Sequence, residues 1–451
     1  MFVIMVPIDD LIKSEMFSDV SFSEFKLIEQ LAEYYQYGPF KPSVHIDGEM
    51  AIIEVPDDLI QRDEKQYNKA VSLSEKGKYR EAQSILKRLI ESTPTVSEYN
   101  RLYGQILSAT GQHQEALKYL NNAIKWDYSN KWAFIMIGNI YGRFLNDLDK
   151  ALNYYKRALD IDPNNNILLN NIGANLAARG RFTDANDYLL KANAIDPDYP
   201  NTYHGIALVH SHQNEHDLAF ENAVKCLKLC KNKDELYDHA LELAVSSAIQ
   251  ITKSKDLMKS VNQVIEQIQK DTGKATRITV DKDLRTAARV QIAETHGRDY
   301  HLVTYNPQHP AYQHLILHEM MHVVFANRAR AINRNKLYIT NNQMQEKFIR
   351  DNESTIEKLV QKRYPEDQVA EFIREFYNGL NMQLFNTNID LLIEDEIYAE
   401  YPDMRPVQLL SLLSIIKDGH DACSSKKAIA LSPKKHISNS RILNVLNAKH
   451  Y

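Results

Sequence analysis

The chain of 451 residues contains a segment that repeats itself about every 34 residues. Five alanines mark the repeat, and the intervals between them are 34, 35, 34 and 34 residues. These alanines are Ala82, Ala116, Ala151, Ala185 and Ala219. A period of this length indicates one small structural unit stacked several times, because a single unit of this size cannot bury its own apolar face.

Other fixed positions indicate that each unit consists of two helices. A small residue stands twelve positions before each alanine, or thirteen in the third unit, where it lets two helices approach closely: Ala70, Gly104, Gly138, Gly173 and Ala207. A glycine or asparagine stands five positions before each alanine and lets the chain turn: Gly77, Gly111, Asn146, Gly180 and Asn214. In three units a proline twelve positions after the alanine ends the second helix: Pro94, Pro163 and Pro197.

With these positions, residues 63–232 resemble the tetratricopeptide repeat, whose period is 34 residues. The resemblance implies an α-solenoid with a concave face that binds a protein or peptide, either a substrate or a regulator. In one branch of the family, lysines and asparagines on this face grip a C-terminal carboxylate. Here those positions carry Ile135 and Asn139 in the third unit and Asn170 and Ala174 in the fourth, so the lysine pair is missing. The asparagines either bind an extended peptide or are solvated surface.

Charge and cysteine content argue against several classes of protein. The formal net charge is -5, so no basic field indicates a nucleic-acid partner. Three cysteines without a C-x-x-C pair favour neither a disulfide framework nor a thiolate zinc site, and they fit a reducing compartment. No stretch is long and apolar enough to span a bilayer. We therefore expect a cytoplasmic protein without a membrane partner.

The motif His318-Glu319-Met320-Met321-His322 indicates chemistry in the second half of the chain. On a helix, residues four apart share a face, so His318 and His322 can turn both imidazoles toward one metal ion. Zinc suits such a site, because it binds neutral imidazole and keeps an open coordination position. Glu319 would then be the general base. The alternative interpretation is a helix with two surface histidines and a glutamate.

A catalytic zinc site needs a third protein ligand, and the helix expected after Asn388 is rich in acids. At 100° per residue, Asp390 and Glu394 fall within its apolar arc, whereas Asp395 lies outside and Glu396 at the edge. An acid pair in such an arc is costly unless it is satisfied. Either a zinc ion with an imidazole N–H satisfies the pair, or arginines on neighbouring helices do.

Three short alternating strands, in ATRITV, ARVQI and HLVTYNP, precede the motif. Strands followed by an H-E-x-x-H helix resemble the zincin metallopeptidases, and an acid on a later helix resembles their gluzincin branch. The resemblance implies Glu394 as the third ligand and Asp390 as the acid that orients a ligand histidine, although the family places that acid after the ligand. An aspartate ligand, Asp390 or Asp395, is the alternative.

The same resemblance implies that Glu319 takes the proton from an attacking water and passes it to the leaving amine. An oxyanion donor is also needed, and Tyr398 is the candidate. His301, His309 and His314 are further candidates, or they are ordinary surface or core histidines. In zincins an edge strand pairs with extended substrate, and HLVTYNP is the candidate for that edge.

The sequence therefore predicts a mostly α protein. Its predicted parts are an N-terminal α+β segment (1–62), five repeats (63–232), a helical cap or linker (233–279), an α+β zincin-like domain (280–420) and a basic tail (421–451). We expect an intracellular zinc-dependent endopeptidase with one Zn²⁺ per chain, whose repeats recruit a substrate or regulator. One alternative is a protein-interaction scaffold with an inactive or structural H-E-x-x-H domain, and another is a zinc hydrolase acting on a non-peptide bond.

Overall fold

The computed structural model describes residues 1–12, 23–284, 286–334, 341–362, 364–432 and 434–450. Over these ranges the protein is mostly helical, as predicted. It divides into two compact units, Met1–Gln213 and Asn214–Tyr451, and the division falls inside the fifth predicted repeat. Within the described ranges, no helix has both the length and the apolar character that crossing a membrane requires.

The first unit begins with a three-stranded antiparallel sheet. Its elements are β1 (Phe2–Pro7), α1 (Ile8–Ile12), α2 (Glu24–Tyr34), β2 (Ser43–Asp47), β3 (Met50–Val55) and a 3₁₀ turn, Asp57–Ile60. The strand order is β1-β3-β2. Gly48, between β2 and β3, has a φ of 58°, a conformation that favours glycine in the turn. Strand β1 was not predicted, because its apolar run lacks the alternation that identifies a half-buried strand.

The repeats follow as helices that alternate along the chain. They are α3 (Glu64–Glu75), α4 (Tyr79–Ser92), α5 (Ser97–Ala109), α6 (His113–Trp126), α7 (Lys131–Asn139), α8 (Leu148–Ile161), α9 (Asn166–Ala177), α10 (Phe182–Ile195), α11 (Pro200–His212) and α12 (His216–Leu229). All five marker alanines are fully buried. A Cβ on Gly138 would lie 2.4 Å from the ring of Tyr155, so this position requires the close approach that the sequence predicts.

The second unit contains the remaining elements. They are α13 (Glu235–Ser254), α14 (Met258–Thr272), β4 (Ala275–Val280), β5 (Ala288–Gln291), a 3₁₀ turn (Glu294–His296), β6 (Tyr300–Tyr305), α15 (Tyr312–Ala331), α16 (Asn342–Asp351), α17 (Glu353–Gln361), α18 (Glu366–Glu400), a 3₁₀ turn (Pro402–Met404), α19 (Arg405–Ser424), α20 (Lys426–Leu431) and α21 (Lys434–His450). The three predicted strands are confirmed as β4, β5 and β6.

The order of these strands corrects one prediction. The sheet order is β4-β6-β5, with β6 parallel to β4 and antiparallel to β5. The segment HLVTYNP forms β6, so its backbone is paired on both sides and cannot be the edge that binds an extended substrate. The edge strand antiparallel to its neighbour is β5.

Helix α15, which carries the H-E-x-x-H motif, packs at the centre of this unit against α14, β5, β6, α18 and α19. Ile316, Met320 and Val323 on this helix are buried in the core of the unit. Helix α18 runs unbroken through Asn386–Asn388, so the predicted helix start at these asparagines is wrong. The cost of asparagine inside a helix is only a few tenths of a kcal/mol, about 0.7 at most, which packing outweighs.

Candidate metal centre

Helices α15 and α18 bring two histidines and one acid together. The rings of His318 and His322 lie 5.0 Å apart between centroids. The Oδ1 atom of Asp390 lies 3.3 Å from Nε2 of His322 and 3.5 Å from Nε2 of His318. One ligand atom from each of the three residues lies within 4.8 Å of the other two. Asp390 therefore stands where a third ligand would stand.

The donor set fits a tetrahedral metal ion. Bonds of about 2.0–2.1 Å place the ligand atoms of such an ion about 3.3 Å apart, close to the separations between Asp390 and the two imidazoles. The Oδ1 atom is buried and has no hydrogen-bond partner among the described residues. The side chains of His318, His322 and Asp390 are 13, 18 and 28% exposed, so all three are partly buried.

Glu394 occupies the other side of the His318 ring. Its Oε1 lies 2.7 Å from Nδ1 of His318, and its Oε2 lies 3.0 Å from Nε2 of His314. The side-chain amide of Gln408, on α19, donates to Oε2 at 2.7 Å. Glu394 is only 3% exposed, and it is not among the residues that converge with His322. The sequence predicted Glu394 beside the two converging histidines and Asp390 behind one of them. In the structure Asp390 lies beside His318 and His322, and Glu394 lies behind His318.

His314, named from the sequence as a candidate oxyanion donor, instead joins Gln408 in a buried polar network around Glu394. His314, fully buried, stands four residues before His318, so three histidines follow each other at helical spacing. That spacing is the signal that could have identified His314. Gln408 carried no such signal, because it reaches Glu394 from a separate helix.

The charges of this network shift the pKa values of its members. Burial alone would lower the pKa of His318, but the carboxylates of Asp390 and Glu394 outweigh it and raise that pKa to about 10. Burial opposes ionisation of the two acids, yet imidazoles lower both pKa values: His318 and His322 that of Asp390, His314 and His318 that of Glu394. Without a metal, His318 is therefore a cation between two carboxylates at neutral pH.

Glu319 lies against the edge strand. Burial raises the pKa of its carboxyl above the usual value, and the nearby imidazoles of His318 and His322 oppose that rise. The backbone N–H of Val290, in β5, also opposes the rise in this pKa. Glu319 is thus held between the converging histidines and the free edge of the sheet.

The other acids and the tyrosine considered on α18 are not part of this group of side chains. Tyr398 is 42% exposed, and its hydroxyl accepts a hydrogen bond from Lys228 at 2.9 Å. Glu396 forms a bidentate pair with Arg328, at 2.7 and 2.9 Å. Asp395 is exposed. Within the described part of the chain, Tyr398 contacts Lys228 and Arg405, which are not among the converging side chains.

The other two histidines considered as oxyanion donors have structural partners. His301 is fully buried, and its Nδ1 accepts from the backbone N–H of Ala293 at 3.1 Å. The Nδ1 of His309 accepts from the backbone N–H of Ala311 at 3.2 Å. Burial lowers the pKa of both imidazoles, which favours their neutral forms.

Comparison with known proteins concerns the repeats. Tetratricopeptide repeat family models match residues 66–96, 95–164 and 143–200. Over 170 residues the chain is 31% identical to the BBSome complex member bbs-4 of Caenorhabditis elegans, covering 38% of this chain and 35% of that protein. It is 26% identical over 162 residues to BBS4 of Bos taurus, covering 36 and 31%. The chain thus spans about a third of the length of these relatives.

Solved structures give the same kind of similarity. The type IV pilus biogenesis factor PilW is 18% identical, with a TM-score of 0.39 over 46% of this chain and 91% of that one. YrrB, described as a tetratricopeptide-repeat protein with an unusual peptide-binding site, is 19% identical, with a TM-score of 0.31 over 40 and 92%.

These findings separate the two predicted activities. They support protein interaction through the repeats, and so they favour the scaffold alternative over the peptidase interpretation. None of these matches concerns a protease or a zinc site. The predicted repeat family is confirmed, and residues 66–200 of this chain are tetratricopeptide repeats.

Proposed function

We propose that the repeats bind a protein partner and that the second unit is a zinc-dependent peptidase. The observation that supports the peptidase is the convergence of His318, His322 and Asp390, with the buried Glu394 behind His318. Two imidazoles and one carboxylate are the ligand set of a catalytic zinc site that keeps one open position. When bound there, zinc would polarise a substrate carbonyl and acidify a water.

In this proposal Asp390 is the third ligand and Glu394 the supporting acid. Glu394 accepts a hydrogen bond from the Nδ1–H group of His318. The lone pair on Nε2 of His318 is then directed toward Asp390 and the metal position. His314 and Gln408 hold Glu394 in place through Oε2. These three groups engage both carboxylate oxygens of Glu394, which is not among the residues that converge with His322.

Glu319 is the proton acceptor in this proposal. Its raised pKa brings the carboxyl closer to neutrality, where a general base also returns its proton readily to a leaving amine. Tyr398 remains a proposal for the oxyanion donor, but it would first have to leave Lys228. The N–H of Val290 is a donor already present beside Glu319.

The edge strand β5 supports an extended peptide as substrate. Ala287 is hydrogen-bonded to Asn306, and such bonds recur at every second residue of an antiparallel pair. The backbone groups of Arg289 and Gln291 therefore point toward β6, whereas the N–H and C=O of Val290 point toward the free edge. A substrate backbone that adds to this edge would pass beside Glu319.

Metal analysis and cleavage assays test this proposal together. Protein purified without chelator should contain about one zinc per chain, and it should cleave members of a quenched fluorescent peptide library. Glu319→Gln should keep the zinc and lose cleavage. A zinc content near zero would refute the peptidase, and cleavage by the Glu319→Gln variant would refute the assignment of the base.

The second candidate function is an interaction scaffold without catalysis, which the comparisons favour. The two candidates differ in what happens to a bound protein partner. If a partner retained by the Glu319→Gln variant is cut by the wild-type protein, the peptidase proposal holds. If wild type binds the same partner and leaves it intact, the scaffold is correct.

A further inference from the structure

The third repeat differs from the others by one residue in its first helix. Thirteen residues separate Gly138 from Ala151, where the other repeats have twelve. Helix α7 ends in a π turn, Ile140–Phe144, in which the N–H of Leu145 donates to the carbonyl of Ile140, five residues back. A π turn is the usual result of one residue inserted into an α-helix, and such turns are frequent at functional sites.

Neighbouring repeats hold this π turn from both sides. Arg179, after α9, donates to the carbonyl of Gly142 and, at 3.2 Å, to the side chain of Asn146. Phe144 stacks on His113 of the preceding repeat, with 3.8 Å between ring centroids. A carbonyl that leaves the helical hydrogen-bond ladder needs such a donor. The turn is therefore a fixed feature and not a frayed helix end.

Glycine is required within the turn. A Cβ at Gly142 would lie 2.4 Å from Oδ1 of Asn175, whose amide in turn donates to Tyr155 and to the carbonyl of Asn171. The close contact brings the π turn against α9. It also sets the direction of the next residue, Arg143.

Arg143 lines a cavity of about 350 Å³ formed between the first helices of the third, fourth and fifth repeats. Its guanidinium is exposed, and its hydrogen-bond contact is a long one, 3.5 Å from Oδ1 of Asn171. In the part of the chain that the structure describes, it forms no ion pair. The cavity walls are polar and apolar side chains without any acid: Asn170, Asn201 and His204, with Ile167, Leu189 and Leu208.

We propose that this cavity receives an aspartate or glutamate side chain of an extended partner peptide, paired with Arg143. The proposal rests on the proposed role of the repeats in partner binding, and it adds the chemistry of the partner. A guanidinium binds a carboxylate through two parallel hydrogen bonds, which makes the pair selective as well as strong. The apolar walls would hold a neighbouring aliphatic side chain.

An internal acidic residue fits the cavity better than a chain terminus. Asn170 is 8% exposed, and its Oδ1 has no hydrogen-bond partner among the described residues. The Oδ1 of Asn171 is engaged only at 3.5 Å by Arg143. The Oδ1 of Asn171 is an acceptor that Arg143 would release on pairing with a carboxylate, and the N–H of a peptide backbone continuing past the acidic residue would replace that donor.

The test uses the full chain and a library of N-acetylated, C-amidated octapeptides randomised at every position, so that no terminal carboxylate is present. Wild type should enrich peptides with Asp or Glu at one position next to an aliphatic residue. Replacing that acid by its amide, or Arg143→Gln in the protein, should weaken binding about 10- to 100-fold in fluorescence anisotropy, the usual effect of losing a charged hydrogen-bonded pair. Arg80→Gln, an exposed arginine on α4, is the charge-matched control and should bind as wild type does.

Several results would overturn the proposal. Enriched peptides without an acid, equal binding by wild type and a folded Arg143→Gln variant, or equal weakening by Arg80→Gln would each refute the pairing while leaving partner binding by the repeats intact. Enrichment confined to a parallel library with free C-terminal carboxylates would assign the cavity to a chain terminus instead. If wild type enriches no peptide in either library, the proposed partner binding itself is refuted for segments of this length.

Discussion

The proposed roles of Asp390 and Glu394 predict opposite effects of their substitution on zinc affinity and on folding stability. We compare Asp390→Asn with Glu394→Gln, because each replaces one carboxylate by an amide of the same size. If Asp390 binds the metal and Glu394 supports His318, the first variant should lose more zinc affinity and the second more folding stability. A general loss of folded protein in one variant would not produce this opposite order of effects.

The affinity term follows from the ligand count. Zinc sites with four ligands bind with about 10–16 kcal/mol, or about 3–4 kcal/mol per ligand, so Asp390→Asn should weaken zinc binding about 100- to 1,000-fold. Glu394→Gln keeps all three ligands. Its amide would turn the oxygen toward His314 and Gln408 and its NH₂ toward Nδ1 of His318, which disfavours the tautomer needed for the metal. The expected loss is about 10- to 100-fold, as for other supporting residues.

For folding stability the order of the two variants is reversed, and Glu394→Gln should lose more than Asp390→Asn. Glu394 is 3% exposed and faces two imidazoles and an amide donor, so removing its charge from the metal-free protein should cost about 3–5 kcal/mol. Asp390 is 28% exposed and lies beyond good hydrogen-bond geometry from both imidazoles. Because Asp390 is the more exposed of the two acids, its loss should cost the metal-free protein less than the loss of the Glu394 charge.

Two assays on the same preparations measure the zinc affinity and the folding stability of each variant. A competition titration with a chromophoric chelator gives the zinc dissociation constant, and urea unfolding of the metal-free protein, followed by circular dichroism, gives the stability of each variant. Zinc affinity lost mainly by Glu394→Gln, together with near-normal affinity of Asp390→Asn, would refute the assignment and restore Glu394 as the ligand.

Three further predictions follow from the same contacts. In the metal-free protein the pKa of His318 is raised from about 6.5 in the unfolded chain to about 10 in the folded chain. The stabilisation from the charged imidazole is therefore complete below about pH 6.5 and is lost as the pH rises toward 10. Urea midpoints measured without zinc across that range should fall, and a flat profile would refute the charged state of His318. Zinc binding at pH 7.5 should release about one proton, measurable by calorimetry in buffers of different ionisation enthalpy, and no release would mean that His318 is neutral before binding. Gly138→Ala should destabilise the repeats by about 1–3 kcal/mol in urea unfolding because its Cβ would clash with Tyr155, whereas Gly379→Ala, with no atom within 4 Å of the new Cβ, should be neutral or stabilising; equal effects would contradict the packing argument.

The repeats were predictable because their information is local and recurs. A buried alanine, a small residue and a turn residue at fixed spacing specify one two-helix unit, and five copies make coincidence implausible. The extra residue of the third repeat was visible in the sequence as a spacing of thirteen. Its consequence, a π turn that directs Arg143, was not visible, because it depends on donors from Arg179 in the next repeat.

The sheet illustrates a different limit. The alternation in β4, β5 and β6 identifies each strand, but pairing order depends on contacts between segments distant in sequence. The residues of HLVTYNP do not show whether the strand is an edge: Val303 is fully buried, and the strand is central in the sheet. A strand buried on both faces and paired on both sides shows the same residues as a hydrophobic edge.

The two acids on α18 were indistinguishable by helical angle alone. Four residues correspond to a rotation of only about 40° beyond one turn, but also to a rise of about 6 Å along the axis. An imidazole offers two nitrogens on opposite sides of one ring, so acids displaced by that rise can reach the same histidine from opposite directions. Asp390 reaches Nε2 of His318 and Glu394 reaches Nδ1, a difference that only the relative position of α15 and α18 decides.

The proposed assignment also removes the departure noted in the sequence. With Glu394 as the ligand, the orienting acid would precede it, against the order implied by the gluzincin resemblance. With Asp390 as the ligand, the supporting acid follows four residues later, in the expected order, and it is the longer side chain that spans the distance to both His314 and His318. The cost is a shorter ligand, so α18 must approach α15 closely at Asp390. Asp390→Glu tests this point: the added methylene should push the carboxylate past the shared position and lower zinc affinity, and an unchanged affinity would mean that the spacing of the two helices does not select aspartate.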